Sequence, residues 1–580
     1  MIKDFPQLKK NLKSDNSKLP QVKLALIGDT ATQLLVTAIR GMGVECGYNM
    51  EVFEAEYNQV ERQFFDMSSE LYQFDADFIV LFLSTHKLCE RHSQLTTSEQ
   101  ATMAKERVSF VESVCQIPAL KNKKIICFNF PEIDDTIFGN YANKVRSSFL
   151  FQVRQLNYEL MELAERTPNL YICDIVSLQN KFGRDTMFAP NIYVSTEVVL
   201  SLDSLPYVAG RILDIICAIK GQFKKCLIID LDNTIWGGVI GDDGMEGIQL
   251  GHGLGIGKAF TEFQMWIKKL KQRGVITCVV SKNNEETAKE PFEKHPDMVL
   301  KLEDIAVFMA NWETKVDNIR TIQSILNIGF DSMVFLDDNP FERQMVKENI
   351  PGITVPELPA DPGDYLEYLY SQNLFETASY SQADKDRTQQ YQVEAKRVTL
   401  SKTFTNEADF LKSLNMKSTV EGFTKFNIPR VAQLSQRSNQ FNLRTIRYNE
   451  ADVAVMAEDP NIIDLSFTLE DKFGDNGLVA VVILKPTKMD KNTLFIDTWL
   501  MSCRVLKRGL ESFVLNTIVE RARKAGYQRI VGEYLPTTKN KMVEQHYPCL
   551  GFRKCEEADT DLYELDINKY LPRECFITNK

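Results

Sequence analysis

The sequence predicts a multidomain α/β protein built on parallel sheets, and three observations lead there. A chain of 580 residues exceeds what a single hydrophobic core supports, so two to four domains are expected. Over roughly the first 220 residues, β-branched and aliphatic runs alternate with helical patterns, the order that builds a parallel sheet. Farther on, three short apolar runs each stop abruptly on an acidic or hydroxyl residue. Central parallel strands end this way at the carboxyl edge, where open α/β sheets hold their ligands.

Composition narrows the class. With 44% hydrophobic and 25% charged residues, the chain reads as an ordinary soluble protein. A net charge of −11 argues against a general nucleic-acid binder. No apolar run reaches the length of a membrane span, and Met1-Ile2-Lys3-Asp4-Phe5-Pro6 lacks a signal-peptide core, so a cytoplasmic protein is expected. The twelve cysteines form no C-x-x-C pair. Cys127, Cys217, Cys226 and Cys278 sit in apolar runs and read as small buried hydrophobes rather than disulfide or zinc partners.

In chain order, the first strand is expected at Val22–Ile27, ending in Gly28-Asp29-Thr30 and followed by a helix over Thr32–Ile39. Further strands are expected at Phe78–Leu83, closing on Ser84-Thr85-His86, at Lys124–Phe130 and at Leu170–Ile175. Next comes Leu227-Ile228-Ile229-Asp230-Leu231-Asp232-Asn233-Thr234. Asp230, Asp232 and Thr234 repeat at a spacing of two, so in an extended chain they point the same way. Gly237, Gly238 and Gly241 then let the chain turn sharply. Adjacent carboxylates repel unless a cation joins them, and oxygen-rich sites suit Mg²⁺. A carboxylate is also a nucleophile towards phosphorus.

A lone D-x-D reads equally well as a strand with a solvated acidic end. Downstream partners decide the matter. Val275–Val280 stops at Ser281, and Met333–Leu336 stops at the Asp337-Asp338 pair. Lys315 opens a helical pattern of Val316, Ile319, Ile322 and Ile325. Leu250–Gly257 has glycine at every second position, and it suits either backbone approach to a phosphate or acyl group, or a flexible lead into a helix.

This ordered set resembles the haloacid dehalogenase (HAD) superfamily of phosphotransferases. The resemblance implies Asp230 as nucleophile, Asp232 as general acid/base, Ser281 and Lys315 as phosphate-holding groups, and Mg²⁺ among Asp230, Asp232, Asp337 and Asp338. Trp236–Met245 would be the flap beside the site. No large insertion interrupts the motifs, which implies a capless core. The runs Asp230–Gly241, Ser281-Lys282-Asn283-Asn284 and Phe335–Arg343 narrow the resemblance to the FkbH-like branch, with Thr234, Asn283 and Arg343 as substrate contacts.

Ile428–Asn442 is similar to the same family. The stretch after it, with strands at Val479–Leu484 and Leu494–Leu500, a helix over Leu510–Ala525 and a strand at Arg529–Tyr534, resembles the GNAT acyltransferase fold. Arg504 and Gly509 fit the ends of its pyrophosphate loop, while Lys507 stands where a glycine is usual. Cys503, beside Arg504, Lys507 and Arg508 and close to a helix start, is a candidate reactive thiol, although a buried structural role is the commoner fate of a cysteine. The first 220 residues resemble an SGNH-hydrolase-like domain. Thr30 replaces its nucleophilic serine, Asn129 stands in for an oxyanion donor, and the late Asp-x-x-His pair is missing, so a non-catalytic domain is expected.

The expected architecture is therefore a capless HAD Rossmann-like parallel sheet (221–375) flanked by an SGNH-like α/β domain (1–220) and a GNAT-like α+β domain (401–580), with a helical connector at 376–400. The resemblance implies glyceryl transfer from 1,3-bisphosphoglycerate to an acyl carrier protein thiol with release of phosphate. The partners it implies are a phosphorylated small molecule and an acyl carrier protein or coenzyme A. The alternative is a phosphatase for a sugar or glycan phosphate, with flanking domains that only bind.

Overall fold

The computed structural model describes residues 3–380, 384, 387–401, 403–487, 490, 492–537, 539–555 and 561–580. The chain packs as two units, Met1–Ile219 and Lys220–Lys580. Among the described residues, no helix is long and apolar enough to cross a membrane.

In the first unit, strands β1 (Gln21–Gly28), β2 (Asn49–Glu54), β3 (Phe78–Phe82), β4 (Lys124–Phe128) and β5 (Leu170–Cys173) form a parallel sheet in the order β2-β1-β3-β4-β5. β3 and β4 bury every residue, as strands covered on both faces must. β2 is an edge strand in which only Met50 is fully buried, so the apolar pattern of the sequence does not reveal it. Helix α1 (Phe149–Arg166) shows the covering principle. It buries Phe149, Val153, Leu156, Leu160 and Leu163 at steps of three and four, and Ser148 caps its start by accepting from the Phe151 N–H at 3.3 Å.

The second unit opens with a four-stranded parallel sheet in the order β8-β7-β6-β9, made of β6 (Cys226–Ile229), β7 (Ile276–Ser281), β8 (Val307–Ala310) and β9 (Met333–Leu336). The twofold alternation of β6 divides its side chains between two apolar layers. Leu227 and Ile229 join Phe260, Phe263 and Ile267 of helix α2 (Ile256–Gln272). Cys226 and Ile228 join Val316, Ile319 and Ile322 of helix α3 (Lys315–Leu326). Because α3 is held by this layer, its first residue, Lys315, lands at the carboxyl edge of the sheet.

Of the connecting helix expected over Thr377–Arg397, residues 377–380 are not helical, residues 381–383, 385 and 386 lie outside the described residues, and the helix α4 runs Arg387–Ser401. Tyr391 of α4 joins the apolar layer of α3. Farther along, Arg397 donates to Asp471 at 2.9 Å, and Glu394 pairs with Arg508, so one helix ties the first sheet to a second, nine-stranded one. That sheet is mostly antiparallel. β10 (Met416–Ser418) and β11 (Val420–Glu421) both pair with β12 (Ile463–Asp471), and β12, β13 (Gly474–Pro486) and β14 (Thr493–Met501) lie at its centre. β14 pairs in parallel with β15 (Arg529–Tyr534) only as far as Ile496. Beyond that point the gap beside β14 is occupied by the chain itself. The Leu443 N–H donates to the Trp499 carbonyl at 3.3 Å and the Met501 N–H to the Phe441 carbonyl at 3.0 Å.

Ile319 is fully buried in the layer that fixes α3. Ile319→Ala is expected to cost about 2–5 kcal/mol and Ile319→Val about 0.5–1.5 kcal/mol, read from the urea unfolding midpoint of the full chain.

Candidate active site

Three strand ends and one helix start converge at the carboxyl edge of the β6–β9 sheet. Asp230 follows β6 and extends its ladder by one rung, its N–H donating to the Leu336 carbonyl at 3.0 Å. Asp337 and Asp338 follow β9, Ser281 ends β7, and Lys315 begins α3. Lys315 Nζ lies 3.0 Å from Asp230 Oδ2 and 2.6 Å from Asp337 Oδ2. Carboxylate oxygens of Asp230, Asp337 and Asp338 all lie within 4.8 Å of one another. Ser281, Lys315, Asp230 and Asp337 are all buried.

The electrostatics follow from that crowding. Burial pushes the Asp230 carboxyl up to about 7, with Lys315 opposing the shift and Asp337 adding to it. Asp338 is raised by burial and by the neighbouring Asp337. Burial disfavours the Lys315 ammonium, but the two carboxylates outweigh it and hold its pKa above that of a free lysine. The site thus brings together one cation and three carboxylates, an excess of buried negative charge of the kind that a divalent cation with oxygen ligands relieves.

The remaining expected residues surround this centre. Thr234 Oγ1 accepts from the Asp338 N–H at 3.1 Å and lies 3.2 Å from Asp338 Oδ1, fixing the loop after β9 against that after β6. Asn233, between Asp232 and Thr234, has φ 55°, a left-handed conformation that asparagine tolerates. Asp232 departs from the expected metal set. Among the described residues the metal-competent group is Asp230, Asp337 and Asp338, and the Asp232 carboxylate lies outside it. Its Oδ1 accepts from Trp236 Nε1 and from the Ile240 N–H, both at 3.0 Å, and its Oδ2 from Asn283 Nδ2 at 3.3 Å. Asn283, expected to touch substrate, here orients Asp232. Trp236, fully buried, is the residue that sequence reasoning missed as its main anchor. Its spacing of four from Asp232 was the available signal.

Arg343 also departs from its expected substrate contact. Its guanidinium turns inward and donates to the carbonyls of Asp337 at 2.8 Å and Asp338 at 2.7 Å, and its Nε to Glu357 at 3.1 Å. It braces the loop that carries the two carboxylates. The glycine-rich stretch before α2 is an exposed lead into that helix, with Gly251 and Gly255 at φ 134° and 112°.

A family model described as FkbH, N-terminal domain, matches residues 23–217. A crystal structure of the N-terminal part of the protein BF1531 from Bacteroides fragilis, containing a phosphatase domain complexed with Mg, is 62% identical. The match covers 65% of this chain and 100% of that one, with a TM-score of 0.63. The chain belongs to the FkbH-like family of HAD-type phosphatases. Ribosomal-protein-S18-alanine N-acetyltransferase from Escherichia coli matches at 15% identity over 26% of this chain and 94% of its own, with a TM-score of 0.20. An aminoglycoside acetyltransferase in complex with coenzyme A matches at 15% identity over 26% and 95%, with a TM-score of 0.21. These last two likenesses are too slight to carry an argument. No curated protein matches the chain.

In this FkbH-like chain Cys503 and Arg504 line a cavity whose lining does not include the Asp230, Asp337 and Asp338 carboxylates. Cys503 begins a single 3-10 turn, Cys503–Val505, while the next helix, α5 (Leu510–Lys524), starts only at Leu510. The thiol therefore does not sit at a helix N-terminus. Nor is Arg508 free to face it, because that guanidinium is committed to Glu394 and Asp471. The partner of Cys503 Sγ is the Tyr391 hydroxyl at 3.6 Å. Gly509 and Lys507 both take left-handed conformations, φ 75° and 62°. Lys507 thus adopts the backbone that its position in a glycine loop demands. In the first unit, Thr30 Oγ1 and His86 Nδ1 are buried without hydrogen-bond partners, and His86 Nε2 lies 3.2 Å from Arg184. Burial and the Arg184 charge lower His86 to about 4. Asn129, expected as an oxyanion donor, gives its amide to Asp174 at 2.6 Å, and its carbonyl accepts the Ile175 and Val176 N–H groups.

Two outcomes are expected. Lys315→Met leaves the buried carboxylates without their cation and costs about 3–5 kcal/mol in metal-free protein at pH 8, measured by denaturant unfolding. Lys507→Gly relieves the left-handed strain and raises stability by about 1 kcal/mol in the same assay.

Proposed function

We propose that the chain is a Mg²⁺-dependent HAD-type enzyme acting on a phosphorylated small molecule, and that it transfers a glyceryl group from 1,3-bisphosphoglycerate to an acyl carrier protein with phosphate release. The observation that carries the phosphate half is the group of buried Asp230 and Asp337 with half-buried Asp338, closed by Lys315. Asp230, Asp337 and Asp338 would hold the cation, which supplies charge neutralisation so that Asp230 reacts ionised. Asp230 attacks the phosphorus of the 3-phosphomonoester, and the ester P–O bond breaks as Asp232 delivers its proton to the departing hydroxyl oxygen, which leaves the activated acyl group intact. Asp232 then takes a proton from water, whose oxygen attacks phosphorus and frees phosphate and Asp230. Ser281 and Lys315 hold the phosphoryl oxygens. Trp236, Ile240 and Asn283 keep Asp232 aimed, and Arg343 positions the Asp337-Asp338 loop.

On this reading residues 221–375 form the phosphatase module, 376–400 the connector and 401–580 a GNAT-like acyltransferase module. Arg504 and Gly509 receive the phosphates of coenzyme A or of a carrier's pantetheine arm. The Cys503 sulfur attacks the carbonyl carbon of the acyl phosphate, the C–O bond breaks, the 1-phosphate leaves with the thiol proton, and the resulting thioester passes the acyl group to the carrier thiol. Residues 1–220 act as a non-catalytic, SGNH-like domain, in keeping with the occupied Asn129 and the His86–Arg184 contact.

A second reading, a phosphatase for a sugar or glycan phosphate, is favoured by a specific observation. Lys225 precedes β6 and Ile276 opens β7, and both line the cavity that contains Cys503, whereas Asp230 and Ser281 close those strands. Five residues of strand separate the two edges by roughly 16 Å. The thiol is thus out of reach of a phosphate seated at Asp230, and transfer requires the acyl group to travel. Intact-mass spectrometry after mixing the protein with Mg²⁺, 1,3-bisphosphoglycerate and a carrier protein separates the readings. A glyceryl adduct that is lost in Asp230→Asn, with Cys503→Ala sparing phosphate release, is the expected result. Phosphate release with no adduct in the unsubstituted enzyme overturns the transferase reading and leaves the phosphatase one.

The raised Asp230 carboxyl sets a pH dependence. In metal-free protein it keeps its proton up to about 7, whereas the unfolded chain loses it near the ordinary carboxylate value. Its contribution to metal-free stability is therefore full below that ordinary value and lost as the pH rises through about 7. Mg²⁺ competes with the same proton. Apparent Mg²⁺ affinity is expected to fall by up to about tenfold per unit as the pH drops below 7, with proton release detectable by calorimetry in buffers of different ionisation heat.

A further inference from the structure

A cavity of about 420 Å³ lies at the amino-terminal edge of the β6–β9 sheet, opposite the Asp230 centre. Six cationic side chains line it: Lys225, Arg387, Arg430, Arg437, Arg504 and Lys539. Asp331 is the one carboxylate in the lining among the described residues. Helix α6 (Ile428–Arg437) supplies two of the cations. Arg430 and Arg437 stand seven residues, two turns, apart and so share a face. The loop after β14 supplies Arg504 beside Cys503, and Lys225 comes from the segment that enters β6.

The charge in this cavity does not balance. Arg387 and Arg437 pair with Asp384, and Lys539 with Asp331 at 2.5 Å. Lys225, Arg430 and Arg504 have no carboxylate at ion-pair distance among the described residues. Lys225 donates to the Arg437 carbonyl at 2.8 Å, Arg430 to the Gln433 side chain, and Arg504 Nε to Ser502 Oγ at 3.2 Å. Arg504 is 7% exposed, and its buried Nη1 has no partner. The cations also act on one another. Burial, with the nearby Arg504 and Arg387 charges, pushes Arg430 down to about 9. Burial pushes Lys225 down to about 8.

Withdrawing unpaired cations from water is costly, and a fold that gathers a buried one, Arg504, and two half-buried ones, Lys225 and Arg430, around an open volume leaves the counter-charge to a ligand. Guanidinium groups match the geometry of phosphate oxygens and bind them through paired hydrogen bonds. We propose that this cavity is a second ligand site, for a phosphate-bearing molecule, with Arg430, Arg504 and Lys225 as its main contacts and the Cys503 thiol and Tyr391 hydroxyl on its wall. The site stands apart from the phosphatase centre, whose carboxylates would repel the same ligand in the absence of a cation. Two sources share this chemistry, the phosphomonoester of a small acid and the phosphodiester of a pantetheine arm.

The test is isothermal titration of the full chain carrying Asp230→Asn, without Mg²⁺ and at low salt, with inorganic phosphate, glycerate 3-phosphate and coenzyme A in turn. One molar equivalent of at least one probe is expected to bind. Arg430→Gln and Arg504→Gln should each weaken it by at least tenfold, and saturation should slow alkylation of Cys503 by iodoacetamide. Glycerate 3-phosphate binding without coenzyme A binding assigns the site to a small acid, and the reverse assigns it to the arm. Should either arginine variant fail to fold, Lys539→Ala, in the cavity lining, carries the same test through a smaller loss of affinity. No binding of any probe at millimolar concentration, or binding that these substitutions leave unchanged, overturns the proposal. Phosphate release from 1,3-bisphosphoglycerate is measured separately in the unsubstituted enzyme, so a failure here leaves the phosphatase reading intact.

Discussion

Two buried carboxylates paired with one ammonium, and a half-buried third beside them, at the end of a parallel sheet are the constraint on which the second unit depends. Burial raises the Asp230 and Asp338 carboxyls, and the neighbouring Asp337 adds to both shifts. Everything nearby serves to hold that arrangement in place. Thr234 clamps the Asp338 loop, Arg343 holds the carbonyls of the same loop, and two apolar layers fix β6 and α3 so that Asp230 and Lys315 meet. Such a site is assembled under strain and is relieved by a cation, a common trade between stability and function.

The same sheet carries a second concentration of charge at its other edge, of opposite sign. Carboxylates gather where the strands end, and arginines and lysines where they begin. Helix α4 makes this possible. It lays Tyr391 into the core of the first sheet, and its Glu394 and Arg397 join a buried ion network with Arg508 and Asp471 of the second. Breaking one member would strand a buried charge, so the network resists shear between the two sheets. The acidic edge suits phosphoryl chemistry with a metal, and the basic edge suits holding a phosphate without one.

Much of the fold was legible from residue patterns, and the exceptions have physical reasons. β3, β4, β6 and β9 bury every residue, so they read directly as apolar runs. β2 escaped because an edge strand needs to bury only one side chain in a sheet covered elsewhere. At the site, the acidic strand ends, Ser281 and Lys315 were legible because each closes or opens a periodic element. Asp232 and Arg343 were legible as important but not in their contacts. A side chain's partner depends on the loop that folds over it, and Trp236, Ile240 and Asn283 reach Asp232 from three different turns.

The sequence by itself determined that a parallel sheet would present acidic and hydroxyl groups at one edge, because periodicity and the abrupt end of apolar runs are local properties. It also determined the chemistry those groups can perform, since residue type sets charge and nucleophilicity. Tertiary structure alone decided that Cys503 faces Tyr391 instead of a helix N-terminus, that Arg343 braces a loop, and that Arg430, Arg504 and Lys225 share one cavity. These residues lie on elements separated by as many as 279 positions, and no local pattern encodes which of their faces meet. Long-range packing supplies that information, and here it places two oppositely charged sites at the two ends of a single sheet.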